Sequence, residues 1–129
     1  MSESKKLSVL VVDDEQHICD LIEVMLKSFN IFSFIVSSTS STVALQKVRN
    51  QEFDLLIIDN QMPDKDGLNM IENLVMTLGS RKHKIIFMSG AMQNEHALKA
   101  INLGVKCFLI KPFTRQGLLK AVIKALGKK

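Results

Sequence analysis

Acidic, hydroxyl and amino side chains directly follow four short apolar runs of this 129-residue chain. Asp13-Asp14-Glu15 follows Val9–Val12, Asp59 follows Leu55–Ile58, Ser89 follows Ile85–Met88, and Lys111 follows Cys107–Ile110. Continuous apolar runs rich in Val and Ile are typical of strands that are covered on both faces of a parallel sheet. Ligands bind beyond the carboxyl ends of such strands. We therefore predict that these polar side chains converge on one edge of a sheet.

The chemistry of this set is that of a phosphoryl acceptor. Carboxylates packed together repel, and each raises the proton affinity of the others. A hard cation removes the conflict, and Mg²⁺ prefers carboxylate, water and phosphate oxygens. An aspartate beside Mg²⁺ can attack phosphorus and form an aspartyl phosphate, while Ser89, Lys111 and the metal hold the oxygens of the transferring group. The residues thus predict phosphoryl acceptance by Asp59.

Segments of helical period lie between the apolar runs and must position these residues. A shorter run at Phe34–Val36 gives a fifth strand, so the order is β-α repeated five times. The clearest stripe has spacing i, i+3, i+4, i+7, i+8, i+11 and consists of Ile18, Leu21, Ile22, Met25, Leu26 and Phe29. Ser40 and Thr114 are predicted to cap the second and fifth helices. Alternating strands and helices predict right-handed crossovers and a three-layer α/β sandwich.

Composition and length indicate a single globular domain over residues 1–129, with 47% hydrophobic residues. No apolar run exceeds four residues, so no membrane insertion is expected. Residues 1–6 contain no apolar segment typical of a secretory signal. Cys19 and Cys107 are too isolated for a zinc site and suit a reducing compartment. We predict a cytoplasmic protein.

The charges are unevenly distributed along the chain. Residues 1–78 hold six Lys/Arg and twelve Asp/Glu, whereas residues 79–129 hold eleven Lys/Arg and a single acidic residue, Glu95. This asymmetry indicates two different electrostatic roles within one small domain. The basic residues are not interleaved with aromatic ones, and Trp and Tyr are absent, so we expect no direct binding of nucleic acid.

Five sequence motifs together resemble the receiver domain of two-component response regulators, and the resemblance covers essentially the whole chain. They are Val11-Val12-Asp13-Asp14-Glu15, Ile57-Ile58-Asp59, Met62-Pro63-Asp64-Lys65-Asp66-Gly67, Met88-Ser89-Gly90 and Lys111-Pro112-Phe113. The intervals of 45, 30 and 22 residues between Asp14, Asp59, Ser89 and Lys111 also agree with the family. The resemblance implies a flavodoxin-like, doubly wound, five-stranded parallel sheet of strand order 2-1-3-4-5. The chain looks like a single-domain receiver of the chemotaxis-regulator kind, while a phosphorelay intermediate and the N-terminal domain of a larger regulator remain open.

The resemblance also implies a function for the acidic residues. Asp59 would accept a phosphoryl group from the phosphohistidine of a histidine kinase or phosphotransfer protein. Mg²⁺ would be bound by Asp14, Asp59 and the backbone carbonyl of Gln61, with Asp13 acting through water. The chain would not be an enzyme beyond catalysing its own phosphoryl transfer and autodephosphorylation.

Other residues would read out the phosphoryl group. Ser89 would contact it and move towards it, and Lys111, before a cis Pro112, would pair with it. Phe108 matches the aromatic switch position. The fourth helix, fifth strand and fifth helix, which carry the positive excess, would bind a downstream protein partner.

Two sets of residues lie at positions that vary among the receivers that this chain resembles. Gln61 and Ala91 occupy the positions that tune the lifetime of the phosphoryl group. Val105-Lys106-Cys107 replaces an acidic pair that dimer-forming transcriptional receivers often carry, so we predict a monomer with no salt-bridged dimer through this face.

Two alternative functions remain open from the sequence. The chain could be a receiver used as a constitutive interaction module without phosphorylation. A haloacid-dehalogenase-type phosphatase also uses Asp, Mg²⁺, Ser/Thr and Lys, but it starts from a DxD motif, whereas Asp59 is followed by Asn60 and Gln61. The scattered residues His17, His83 and His96 are interpreted as solvated, and the two cysteines as small buried hydrophobic residues.

Overall fold

The five predicted β-α repeats are present in a computed structural model, which describes residues 7–62, 67–78, 84–90 and 94–127. In chain order the elements are β1 (Leu7–Val12), α1 (Gln16–Phe29), β2 (Phe32–Ser38), α2 (Ser41–Asn50), β3 (Leu55–Asp59), α3 (Gly67–Leu78), β4 (Ile85–Ser89), α4 (Asn94–Asn102), β5 (Cys107–Ile110) and α5 (Arg115–Ala125).

The five strands form one parallel sheet of order β2-β1-β3-β4-β5, which confirms the predicted doubly wound, flavodoxin-like topology. The register brings the strand ends together: Val12 pairs with Ile58, Asp59 with Met88, and Ser89 with Ile110. Polar residues that follow neighbouring strands therefore lie at the same edge of the sheet.

Two apolar cores cover the two faces of the sheet. One core packs α2, α3 and α4 against the sheet, and Phe87 is its largest fully buried side chain. The other packs α1 and α5 and includes Cys19 and Cys107, which are buried free thiols as expected. Burial, with the nearby charge of Asp13, raises the pKa of the Cys19 thiol to about 11, so this thiol stays protonated and unreactive.

Both predicted helix caps are confirmed. The hydroxyl of Ser40 accepts a hydrogen bond from the backbone N–H of Val43 at 3.2 Å. The hydroxyl of Thr114 accepts from the backbone N–H of Gly117 at 2.9 Å. Each cap satisfies a helical N–H that would otherwise lack a partner.

Some apolar side chains of α1 and α4 lie at the surface instead of in the core. Leu21 of α1 is 47% exposed, and Leu98 and Ile101 of α4 are 60% and 51% exposed. A helix that packs on one face of a sheet buries only a narrow stripe, so residues at the margin of a wide apolar stripe remain in contact with solvent. None of the helices within the described ranges is long and apolar enough to cross a bilayer.

Candidate functional site

Three carboxyl groups meet at the carboxyl ends of β1 and β3. Asp13 is fully buried and Asp59 is 2% exposed, whereas Asp14 is exposed to solvent. One carboxylate oxygen from each lies within 4.8 Å of the others. The parallel pairing of β1 with β3 explains this arrangement, because it places residues that are 46 positions apart, such as Asp13 and Asp59, at adjacent strand ends.

Lys111 reaches into this cluster from the end of β5. Its Nζ lies 2.7 Å from Oδ2 of Asp13 and 3.3 Å from Oδ2 of Asp59. The backbone N–H of Lys111 donates to the carbonyl oxygen of Ser89 at 2.8 Å, and the Lys111–Pro112 peptide bond is cis, as predicted. The ammonium group therefore bridges the two buried carboxylates.

Backbone N–H groups orient the other oxygens of the two buried carboxylates. The N–H of Glu15 donates to Oδ1 of Asp13 at 2.9 Å. The N–H of Gln61 donates to Oδ1 of Asp59 at 3.4 Å, a long hydrogen bond. These contacts fix the carboxylates in the cluster. The predicted metal-binding role of the Gln61 carbonyl oxygen stays a prediction.

The environment of Asp59 disfavours its charge. Burial, followed by the negative charge of Asp13, raises the pKa of the Asp59 carboxyl from 3.8 to about 6. Lys111 and the N–H of Gln61 act in the opposite direction but do not cancel the rise. Burial also acts against the charge of Lys111, yet its hydrogen bond to Asp13 and the charges of Asp59 and Asp13 raise its pKa above the ordinary 10.5.

The donor set fits a divalent cation. The three carboxyl groups and one ammonium give the site a formal excess of negative charge. Burial, followed by the charge of Asp13, raises the pKa of Asp59 despite the opposing effect of Lys111. Asp14 is open to solvent and can join a hydrated ion, since Mg²⁺ keeps several waters and needs only one or two carboxylates. Asp13, Asp14 and Asp59 are therefore suited to hold Mg²⁺.

The structure brings Ser89 to the same edge, whereas Phe108 lies on β5, two strands away from the strand that ends in Asp59. Ser89 is fully buried at the end of β4, one position after the Met88 that pairs with Asp59. Phe108 is half-buried on β5, and its ring packs edge-on against Phe87 with centroids 6.3 Å apart. The role of Ser89 towards the phosphoryl group and the switch role of Phe108 stay predictions.

An open groove lies beside the site. It has a volume of about 250 Å³ and is lined by Ile18 and Leu21 of α1 and by Lys111, Pro112 and Phe113 after β5. The exposed side chain of Leu21 therefore lines the same groove as Lys111.

One contact next to the site was missed by the sequence analysis. The interpretation of His96 as solvated was wrong: it is half-buried, and its Nδ1 lies 3.1 Å from Nδ2 of Asn60, the residue after Asp59. No signal in the sequence pairs these residues, since the face of α4 that turns towards β3 is set by tertiary packing. His17 is exposed as expected. His83, Ala91 and the motif residues Pro63–Asp66 lie outside the described residues.

The sequence matches the response regulator receiver domain over residues 9–123. The chain therefore belongs to the response regulator receiver family, whose members are signalling proteins of two-component systems rather than turnover enzymes, and which generally bind Mg²⁺ at an acidic pocket.

Named relatives agree with this assignment. The chain is 28% identical over 119 residues to the chemotaxis protein CheY of Bacillus subtilis, covering 92% of this chain and 97% of that protein. The fold matches Vibrio cholerae CheY4 with a TM-score of 0.85 at 24% identity, covering 95% of this chain and all of the other. It also matches the beryllofluoride-activated NtrC4 receiver domain dimer with a TM-score of 0.83 at 28% identity, covering 93% and 96% of the two chains.

Proposed function

We propose that this chain is a phosphorylation-activated switch in which Asp59 accepts a phosphoryl group from a histidine kinase or phosphotransfer protein in the presence of Mg²⁺. The observation that supports it best is the position of the Lys111 ammonium, which contacts a buried Asp59 and a buried Asp13 at adjacent strand ends. A buried carboxylate with a positive group beside it can act as a nucleophile while the developing negative charge is stabilised.

In the transfer step, one carboxylate oxygen of Asp59 forms a bond to phosphorus as the bond between phosphorus and the donor histidine nitrogen breaks. The leaving imidazole keeps the electron pair of that bond. Ser89 ends β4 and Lys111 follows β5, so both lie at the carboxyl ends of neighbouring strands. The Ser89 hydroxyl and the Lys111 ammonium would bind oxygens of the transferred group. Bound Mg²⁺ would neutralise charge on the carboxylates and on the phosphoryl oxygens.

The partner surface proposed here is the face formed by α4, β5 and α5. Its exposed lysines are Lys99, Lys106, Lys120 and Lys124, and its exposed apolar side chains are Leu98, Ile101 and Ile110.

Moving a two-state element from 1:99 to 99:1 requires roughly 5.5 kcal/mol of differential interaction. A new dianion held by charge-assisted hydrogen bonds would supply much of that difference, and movement of Ser89 followed by Phe108 would carry the change to this face. The two buried free thiols fit a cytoplasmic setting for this switch.

The direct test is the intact mass of the chain after incubation with acetyl phosphate and Mg²⁺. We expect one phosphoryl adduct on the wild type and none on Asp59→Asn, because the amide cannot act as the acceptor. Asp20→Asn is a matched control: the same chemical change at an exposed position of α1 should leave the adduct in place. Omitting Mg²⁺ should remove most of the adduct.

The outcomes separate the candidate functions. An adduct on Asp59→Asn would contradict the assignment of the acceptor. No adduct on the wild type, from either acetyl phosphate or a phosphorylated kinase, would favour the constitutive interaction module. Sustained hydrolysis of a generic phosphate ester would revive the phosphatase alternative.

A further inference from the structure

A side-chain contact joins the residue after Asp59 to helix α4. Asn60 is 4% exposed, and its Nδ2 lies 3.1 Å from Nδ1 of His96. The backbone N–H of Asn60 donates to the carbonyl oxygen of Met88 at 2.8 Å, one residue before Ser89. Asn60 is therefore bonded covalently to Asp59, by its backbone to β4, and by its side chain to α4.

The chemistry of the amide sets the direction of this hydrogen bond. An amide NH₂ group only donates, so Nδ1 of His96 is the accepting atom of this contact. Oδ1 of Asn60 is buried and has no hydrogen-bond donor among the described residues. Within that part of the chain, the contact with His96 is thus what holds the amide in its orientation.

Helix α4 has few other anchors. Among its described side chains, at positions 95–102, only Ala100 is fully buried, while Leu98 and Ile101 are exposed. An element with little buried apolar surface shifts at a low free-energy cost. His96 lies in the first turn of α4, which is the first element of the proposed readout surface. Its hydrogen bond therefore acts on the N-terminal end of this helix.

We propose that the Asn60–His96 pair couples the acceptor site to the first turn of α4. When Asp59 is phosphorylated, any displacement of the end of β3 is carried by Asn60 through its hydrogen bond to His96. The proposal rests on the proposed function, and it adds a connection that does not pass through Ser89 or Phe108. Both members of the pair are positioning residues, since neither touches the reacting atoms.

The test is a titration of the ¹⁵N-labelled chain with beryllofluoride and Mg²⁺, followed by NMR. Beryllofluoride mimics a phosphoryl group on an aspartate, so amides near Asp59 report binding and amides of α4 report coupling. In His96→Ala we expect the midpoint at the site to stay within about twofold of wild type, while the shifts in α4 fall about threefold or more, as loss of one hydrogen bond allows.

Two further variants separate coupling from a loosened helix. His96→Asn offers an accepting oxygen close to the position of Nδ1 and should restore most of the α4 response. Glu95→Ala changes the exposed neighbouring residue, which makes no contact with Asn60 among the described hydrogen bonds, and should keep the wild-type response.

Each outcome bears on the inference. Full α4 shifts in His96→Ala, with normal binding at the site, would overturn the coupling and leave the proposed function standing. An equal loss of the α4 response in Glu95→Ala would also overturn it, because any weakening of the first turn would then suffice. Failure of the wild type to bind beryllofluoride would overturn both proposals.

Discussion

At the scale of single residues, Asp59 is the proposed nucleophile, but its negative charge destabilises the folded state. Its pKa of about 6 in the folded chain, against an ordinary 3.8, means that the native state binds the proton more tightly than the unfolded chain does. The contribution of Asp59 to the free energy of unfolding therefore falls as pH rises from about 4 to about 6, and it stays low above that range. The cause is burial beside Asp13, which Lys111 offsets only in part.

Asp59→Asn should therefore stabilise the chain at neutral pH in the absence of metal. A pKa of about 6 in place of 3.8 sets an upper limit near 3 kcal/mol, so we expect a gain of about 1–3 kcal/mol at pH 8. The gain should vanish near pH 4, where the wild-type carboxyl is protonated. Urea unfolding in EDTA at both pH values measures it. A variant no more stable than wild type at pH 8 would contradict the electrostatic account, and Asp20→Asn serves as the control.

The residues of the site differ in how far the sequence could predict them. Asp13, Asp59, Ser89 and Lys111 were predictable, because each follows an apolar run and parallel strands end at a common edge. The pairing of Asn60 with His96 was not, because it depends on how α4 rotates and tilts on the sheet. A pattern of apolar residues defines which helix face is buried but not which polar residue at its margin meets a neighbour.

At the scale of elements, the sequence predicted where helices begin better than it predicted which helix faces are buried. The caps at Ser40 and Thr114 depend on local hydrogen bonds between a side chain and a backbone N–H three residues later. The exposure of Leu21 and Leu98 depends instead on which part of each helix the sheet covers. A helix cap can be predicted from residues that are close in sequence, whereas the burial of a helix face depends on how the whole domain packs.

The cap of α5 gives a prediction at this scale. Thr114→Ala removes the hydroxyl that accepts from the N–H of Gly117, so we expect the free energy of unfolding to fall by about 1 kcal/mol. Thr114→Ser keeps an accepting hydroxyl and should lose far less. Gln116→Ala, at an exposed position in the same turn, should be nearly neutral. Urea unfolding of the three variants checks this, and equal losses for Ala and Ser would show that the hydroxyl is not the stabilising group.

At the scale of the whole molecule, the uneven charge of the sequence becomes a basic face on α4, β5 and α5. Lys99 and Lys120 are exposed on two of these elements, away from the carboxylates. The double substitution Lys99→Glu/Lys120→Glu should leave phosphorylation of Asp59 intact and weaken binding of the downstream partner about tenfold or more, as reversal of complementary charge requires. Lys27→Glu/Lys47→Glu, which places the same change on α1 and α2, is the control. Equal affinities of both double variants in a titration with the partner would refute the assigned surface.

The same face also bears on self-association, because NtrC4, a structural relative, is described as a dimer when activated by beryllofluoride. In a two-fold dimer each surface patch meets its own copy, so a face-to-face pair through α4, β5 and α5 would bring lysines together. The charged side chains described on these elements and their connections are Glu95, Lys99, Lys106, Lys111, Arg115, Lys120 and Lys124, and the excess is positive. Like charges placed together oppose association, and salt screens that repulsion. We therefore expect sedimentation velocity with beryllofluoride and Mg²⁺ to show a monomer at low ionic strength. A dimer that forms on activation and weakens as salt is added would mean that opposite charges meet in the interface, and the predicted monomer would be wrong.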